Sequence, residues 1–90
     1  MDILFLEDEP TIREVLTEYM KMQNYDVTCA QDGEQAMRLL GGRRFDMAVL
    51  DIMVPGISGL EVLGYLKEHH PETATIMLTA LDDEKTQVQA

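Results

Sequence analysis

The stretch Met47-Ala48-Val49-Leu50-Asp51-Ile52-Met53-Val54-Pro55-Gly56-Ile57-Ser58-Gly59 decides the fold. Its first four residues are apolar without alternation, the pattern of a strand buried on both faces, and they stop at a lone carboxylate, Asp51. Pro55-Gly56 marks a turn, and Ser58-Gly59-Leu60-Glu61 has the capping-box pattern that opens a helix. Pro71 lies just past that helix, and Ala74 to Leu78 reads as the next strand, ending in Thr79.

The same alternation runs upstream. Ile3-Leu4-Phe5-Leu6 is a short apolar run halted by Glu7-Asp8-Glu9-Pro10, a buried strand that carries acidic residues to its carboxyl end. Pro10 suits a first helical turn, and Ile12, Val15, Leu16, Tyr19 and Met20 recur at helical spacing, predicting a helix with one buried face and Asn24 near its end. Tyr25 to Ala30 is a second strand; Asp32 caps a helix through Leu40 that stops at Gly41-Gly42. Downstream of Thr79, Asp82 can cap a fourth helix running toward Ala90.

Four strand and helix alternations with short connections predict an α/β fold: right-handed crossovers place parallel strands in one doubly wound sheet with helices on both faces. Such sheets bind ligands at the carboxyl ends of their strands. That rule gathers Glu7, Asp8, Asp51 and Thr79 at one edge. Carboxylates so close repel one another unless a cation neutralises them, and Mg2+, a hard ion that combines one or two carboxylates with a phosphate, suits the set. A carboxylate beside such a metal can attack phosphorus to form an acyl phosphate, and Asp51 is placed for it. The Thr79 hydroxyl and backbone N–H groups after Asp51 can serve as donors to the phosphoryl oxygens.

Composition bounds the function. With 90 residues, 46% hydrophobic and 27% charged, the chain has room for one globular core. Seventeen acidic residues against seven basic ones give a net charge of -10, which disfavours direct binding of this segment to nucleic acid or anionic membranes. The single Cys29 cannot form an internal disulfide, and no signal segment or membrane-length apolar run is present, so a cytoplasmic setting is expected. His69 and His70, adjacent at a helix end, do not share a face as zinc ligands would. Most of the seven Met residues are expected in the core, and Cys29 as a buried strand residue.

Leu6-Glu7-Asp8-Glu9, the stretch from Val49 to Gly59, and Leu78-Thr79-Ala80 resemble, in order, the three motifs of response-regulator receiver domains. The resemblance covers nearly all of the chain and implies a flavodoxin-like receiver fold over residues 1–90. It implies that Glu7 and Asp8 hold Mg2+, that Asp51 is phosphorylated, that the Met53 backbone carbonyl is a further metal ligand, and that Thr79 reorients on activation. It also implies a sensor histidine kinase as phosphoryl donor and no enzymatic role beyond autocatalysed phosphorylation and dephosphorylation. The chain is most similar to regulators with a C-terminal winged-helix DNA-binding output domain, which implies transcription regulation by the intact parent. Family members continue through a fifth strand carrying a Lys and an aromatic switch residue, then a final helix. Neither lies within these residues, so a truncated receiver is expected, with Lys67 and Lys85 better read as solvated charges than as substitutes.

Other functions fit less well. A nucleotide-binding flavodoxin-like domain needs positive potential where this chain has Glu7-Asp8-Glu9, and an aspartyl phosphatase needs a second Asp where this chain has Met53. A receiver-shaped interaction module without phosphotransfer is the remaining alternative. Without a fifth strand, Ala74 to Leu78 would form an uncovered apolar edge, so self-association, most simply a homodimer, is expected.

Overall fold

The structure is a computed structural model describing residues 1–54 and 56–78. Four strands, β1 (Asp2–Leu6), β2 (Asp26–Ala30), β3 (Met47–Asp51) and β4 (Ala74–Leu78), alternate with three helices, α1 (Pro10–Met22), α2 (Gly33–Gly42) and α3 (Gly59–His69). The strands form one parallel sheet in the order β2-β1-β3-β4. This is the expected doubly wound architecture. The expected helix from Asp82 lies outside the described residues.

Strand side chains alternate between two apolar layers, which is why the central strands are apolar throughout. Leu4 and Leu6 of β1, Ala30 of β2, and Ala48 and Leu50 of β3 form one layer with Ala36 and Leu40 of α2 and Val62 and Leu66 of α3. Ile3, Phe5 and Val49 point the other way and pack against Leu16 and Met20 of α1. Burying a large apolar side chain such as Phe5 fully stabilises the fold by roughly 1.5–3 kcal/mol.

Local signals set the helix limits. Asp32 caps α2, its carboxylate accepting from the Gln35 N–H at 2.8 Å, and Ser58 caps α3, its hydroxyl accepting from the Glu61 N–H at 3.3 Å. Helix α1 ends as Asn24 takes a left-handed conformation, φ 68°. Its cap at the start is Glu9, whose carboxylate accepts from the Thr11 N–H at 2.9 Å.

Two expectations, the buried face of α1 and the burial of Cys29, need correction. The apolar stripe of α1 is not one buried face: Leu16 and Met20, along one edge of the stripe, meet the sheet, while Val15 and Tyr19, along the other, are 62% and 60% exposed, with Ile12 between them. Most of the methionines pack on the core as expected, namely Met20, Met37, Met47 and Met77, while Met1, Met22 and Met53 are exposed. Cys29 is half-buried on edge strand β2, with its sulfur 3.2 Å from the Thr17 hydroxyl. His70, by contrast, is buried, and its Nδ1 has no partner among the described residues. No helix among these residues is long and apolar enough to cross a membrane.

Candidate functional site

The carboxyl ends of β1 and β3 are neighbours because Leu6 pairs with Leu50 in the sheet. The next residue on each strand is acidic, and Asp8 follows Glu7. Carboxylate oxygens of Glu7, Asp8 and Asp51 lie within 4.8 Å of one another. Glu7 and Asp51 are buried, at 4% and 5% exposure, whereas Asp8 is exposed. The sheet register thus makes one site of residues remote in sequence, as expected for these three.

Backbone contacts hold the cluster. The Glu7 N–H donates to the Ala30 carbonyl at 3.0 Å, continuing the β1–β2 pairing past the strand end. The Glu9 N–H donates to Glu7 Oε2 at 3.1 Å, and the Met53 N–H donates to Asp51 Oδ1 at 3.0 Å. Met53 is thus beside Asp51 and is itself 51% exposed. Gly59 closes the loop after Asp51: its N–H donates to the Ile52 carbonyl at 3.4 Å, and a Cβ there would meet the backbone of Asp51 and Ile52. Thr79 lies outside the described residues.

Electrostatically the cluster is under-compensated. Burial, opposed by the hydrogen bond from the Glu9 backbone and reinforced by Asp51 and Asp8, raises the Glu7 pKa from 4.5 to about 7. A buried carboxyl that resists ionisation beside two other carboxylates is what a divalent cation would relieve. An all-oxygen donor set, part buried and part open to solvent, suits a hard cation that retains water. The residues present therefore fit a metal such as Mg2+.

Sequence reasoning missed Arg13. Its guanidinium donates from Nη1 to the backbone carbonyls of Glu7, at 3.0 Å, and Asp8, at 3.4 Å, so the acidic turn is held from behind by the helix that follows. An arginine within the first turns of a helix that follows an acidic strand end is the available cue. Glu9, by contrast, is consumed as a helix cap.

The family profile described as response regulator receiver domain matches residues 3–90. The chain belongs to that family. Among curated relatives, this receiver domain is 36% identical over 83 residues to a cyclic di-GMP phosphodiesterase of Thermotoga maritima, covering 92% of this chain and 22% of that one. It is 35% identical over 80 residues to the probable transcriptional regulatory protein TcrX of Mycobacterium tuberculosis, covering 89% and 34% respectively. The receiver domain thus spans between about a fifth and a third of these relatives' lengths.

Solved structures agree. The response regulator TrrA of Thermotoga maritima, crystallised in complex with Mg2+-BeF, matches the receiver with a TM-score of 0.84 and 37% identity over 97% of this chain and 76% of that one. A crystal structure of histidine kinase ThkA in complex with TrrA matches with a TM-score of 0.75 and 29% identity, covering 98% of this chain and 95% of that one.

Proposed function

We propose that this receiver domain accepts a phosphoryl group from a sensor histidine kinase onto Asp51, in a reaction that requires Mg2+, and changes conformation to control an output domain. The observation that carries the reading is the convergence of the Glu7, Asp8 and Asp51 carboxylates within 4.8 Å at the carboxyl edge of the sheet. One relative, TrrA, solved both with Mg2+-BeF and in complex with a histidine kinase, supports it.

In this reading Glu7, Asp8, Asp51 and the Met53 carbonyl hold the metal, which when bound supplies positive charge against the carboxylates and the phosphoryl oxygens. An Asp51 carboxylate oxygen attacks phosphorus, the P–N bond to the donor histidine breaks, and the imidazole leaves with its electron pair and takes up a proton. The N–H of Met53 fixes the orientation of the attacking group through Oδ1. Thr79, directly after β4, would offer its hydroxyl to a phosphoryl oxygen. Attack of water on phosphorus later returns the carboxylate and releases inorganic phosphate. This self-directed chemistry is the only catalysis assigned, and the phosphodiesterase activity in one relative's name refers to a protein of which this chain covers 22%.

The output partner we propose is a DNA-binding domain in a cytoplasmic transcription regulator, supported by similarity to TcrX. Metal binding is testable without the kinase. Added Mg2+ is expected to raise the melting temperature of the chain by several degrees, since a ligand at a hundred times its Kd stabilises by about 2.7 kcal/mol. Asp8→Ala should remove most of that shift; an unchanged shift would exclude Asp8 as a ligand. Mg2+-dependent labelling by acetyl phosphate is the companion test, and a chain that binds Mg2+ yet takes no label would favour an interaction module instead.

We further propose self-association through β4, which among the described residues pairs only with β3 and leaves Ile76 45% exposed. Light scattering of the 90-residue chain across a dilution series should show mass falling toward that of a monomer as concentration drops. A constant monomer mass at high concentration would exclude it.

A further inference from the structure

We infer that the first turn of α2 is the seat of the loop that follows Asp51, and that Gly33 is a positioning residue for the acceptor site. The functional part of this inference rests on the phosphoacceptor reading above. The described residues of this loop, 52–54 and 56–58, are anchored at both ends: the Ile52 N–H donates to the Leu78 carbonyl and the Gly59 N–H to the Ile52 carbonyl, each at 3.4 Å. Gly56 and Ile57 rest on α2. A Cβ at Gly33 would run into the backbone carbonyl of Ile57, and the neighbouring Glu34 carboxylate lies against Gly56, whose φ is 75°. Two consecutive residues of the helix therefore meet two consecutive residues of the loop.

Space, not backbone conformation, demands glycine at position 33. Gly33 is buried and has no positive φ, so an L-residue could adopt its backbone there, and alanine would favour the helix. What forbids alanine is the Ile57 carbonyl. Gly41, in the same helix, has open space where its Cβ would be. The seat is itself held: Asp32 caps the turn through the Gln35 N–H. A short loop with both ends hydrogen-bonded and with Gly56 and Ile57 against a fixed helix cannot absorb an added methyl locally. The displacement would pass to Met53, whose N–H orients Asp51 and whose carbonyl is the proposed metal ligand.

The experiment compares Gly33→Ala with Gly41→Ala in the full chain, reading backbone amide exchange by NMR and Mg2+ affinity by calorimetry. In Gly33→Ala the Met53 and Gly59 amides should exchange about tenfold faster while those of Leu4 and Leu6 keep their protection. The Mg2+ Kd should rise about tenfold, the scale expected when groups that orient a metal ligand are disturbed. Gly41→Ala should change neither. If Gly33→Ala does not fold, Asp32→Ala loosens the same turn without adding bulk and should accelerate the same two amides. Unchanged Met53 and Gly59 exchange in the folded variant, or equal acceleration throughout β1, overturns the inference. The amide measurement needs no metal, so a wild-type chain indifferent to Mg2+ would refute the phosphoacceptor reading while the amides still decide the seat.

Discussion

Asp51→Asn is expected to abolish phosphoryl incorporation from acetyl phosphate, by about a hundredfold or more, while the chain stays folded. The amide oxygen that this substitution introduces would still accept from the Met53 N–H, so the observed 3.0 Å contact and nearly the same buried volume are kept. It removes the anionic nucleophile and nothing else of comparable size. It also removes one negative charge beside Glu7, so the metal-free variant should be at least as stable as the wild type, and the Glu7 pKa should move back toward its ordinary range. Intact-mass measurement after incubation with acetyl phosphate and Mg2+ reads the first effect; urea unfolding reads the second. Labelling of the variant at the wild-type rate would assign the acceptor to another residue, whatever its stability.

The second large effect is a pH dependence of stability centred on Glu7. Its carboxyl has a pKa of about 7 in the folded chain against 4.5 as the ordinary value, so at intermediate pH the folded state holds a proton that the unfolded state has released. The contribution of Glu7 to metal-free stability is therefore greatest below the ordinary pKa and falls as pH rises, with its loss complete above the folded value. The full loss is on the order of 3 kcal/mol, because each tenfold change in proton affinity between the folded and unfolded chain corresponds to about 1.4 kcal/mol. Mg2+ binding takes the place of that proton, so saturating metal should offset the decline and should bind more tightly as pH rises through about 7. Glu7→Gln should flatten the Glu7-dependent decline, leave the metal-free chain more stable than the wild type at about pH 8, and remove most of the response to Mg2+. Urea titrations at about pH 5, 6, 7 and 8, with and without metal, give the comparison. A wild-type profile without decline over that range would refute the role given to Glu7, as would a decline that persists undiminished in Glu7→Gln.

The sequence by itself determined the alternation of elements and the identity of the acidic edge. Strands buried on both faces must be apolar at every position, so Leu4, Phe5 and Leu6, and Ala48, Val49 and Leu50, are legible without any knowledge of their partners. Asp32 and Ser58 are equally legible, because a cap acts on the residues immediately after it. Because the sheet is parallel, the first polar residue past each run had to reach the same edge, and this identified Glu7, Asp8 and Asp51.

Only the tertiary structure decided the rest, because it depends on distances between chain segments that no local pattern encodes. The spacing of Ile12, Val15, Leu16, Tyr19 and Met20 defines a stripe, but the placement of α1 on the sheet decides that Leu16 and Met20 alone face the core layer. The same placement aims Arg13 at the carbonyls of Glu7 and Asp8. Glu7 is an ordinary acid in the sequence; burial beside Asp51, set by the pairing of Leu6 with Leu50, raises its pKa. Gly33 looks like a weak start to a helix until the Ile57 carbonyl is seen against it. Contacts of that kind arise from packing helices and loops onto the sheet at distances near the van der Waals limit, where a single methyl group decides whether the site keeps its shape.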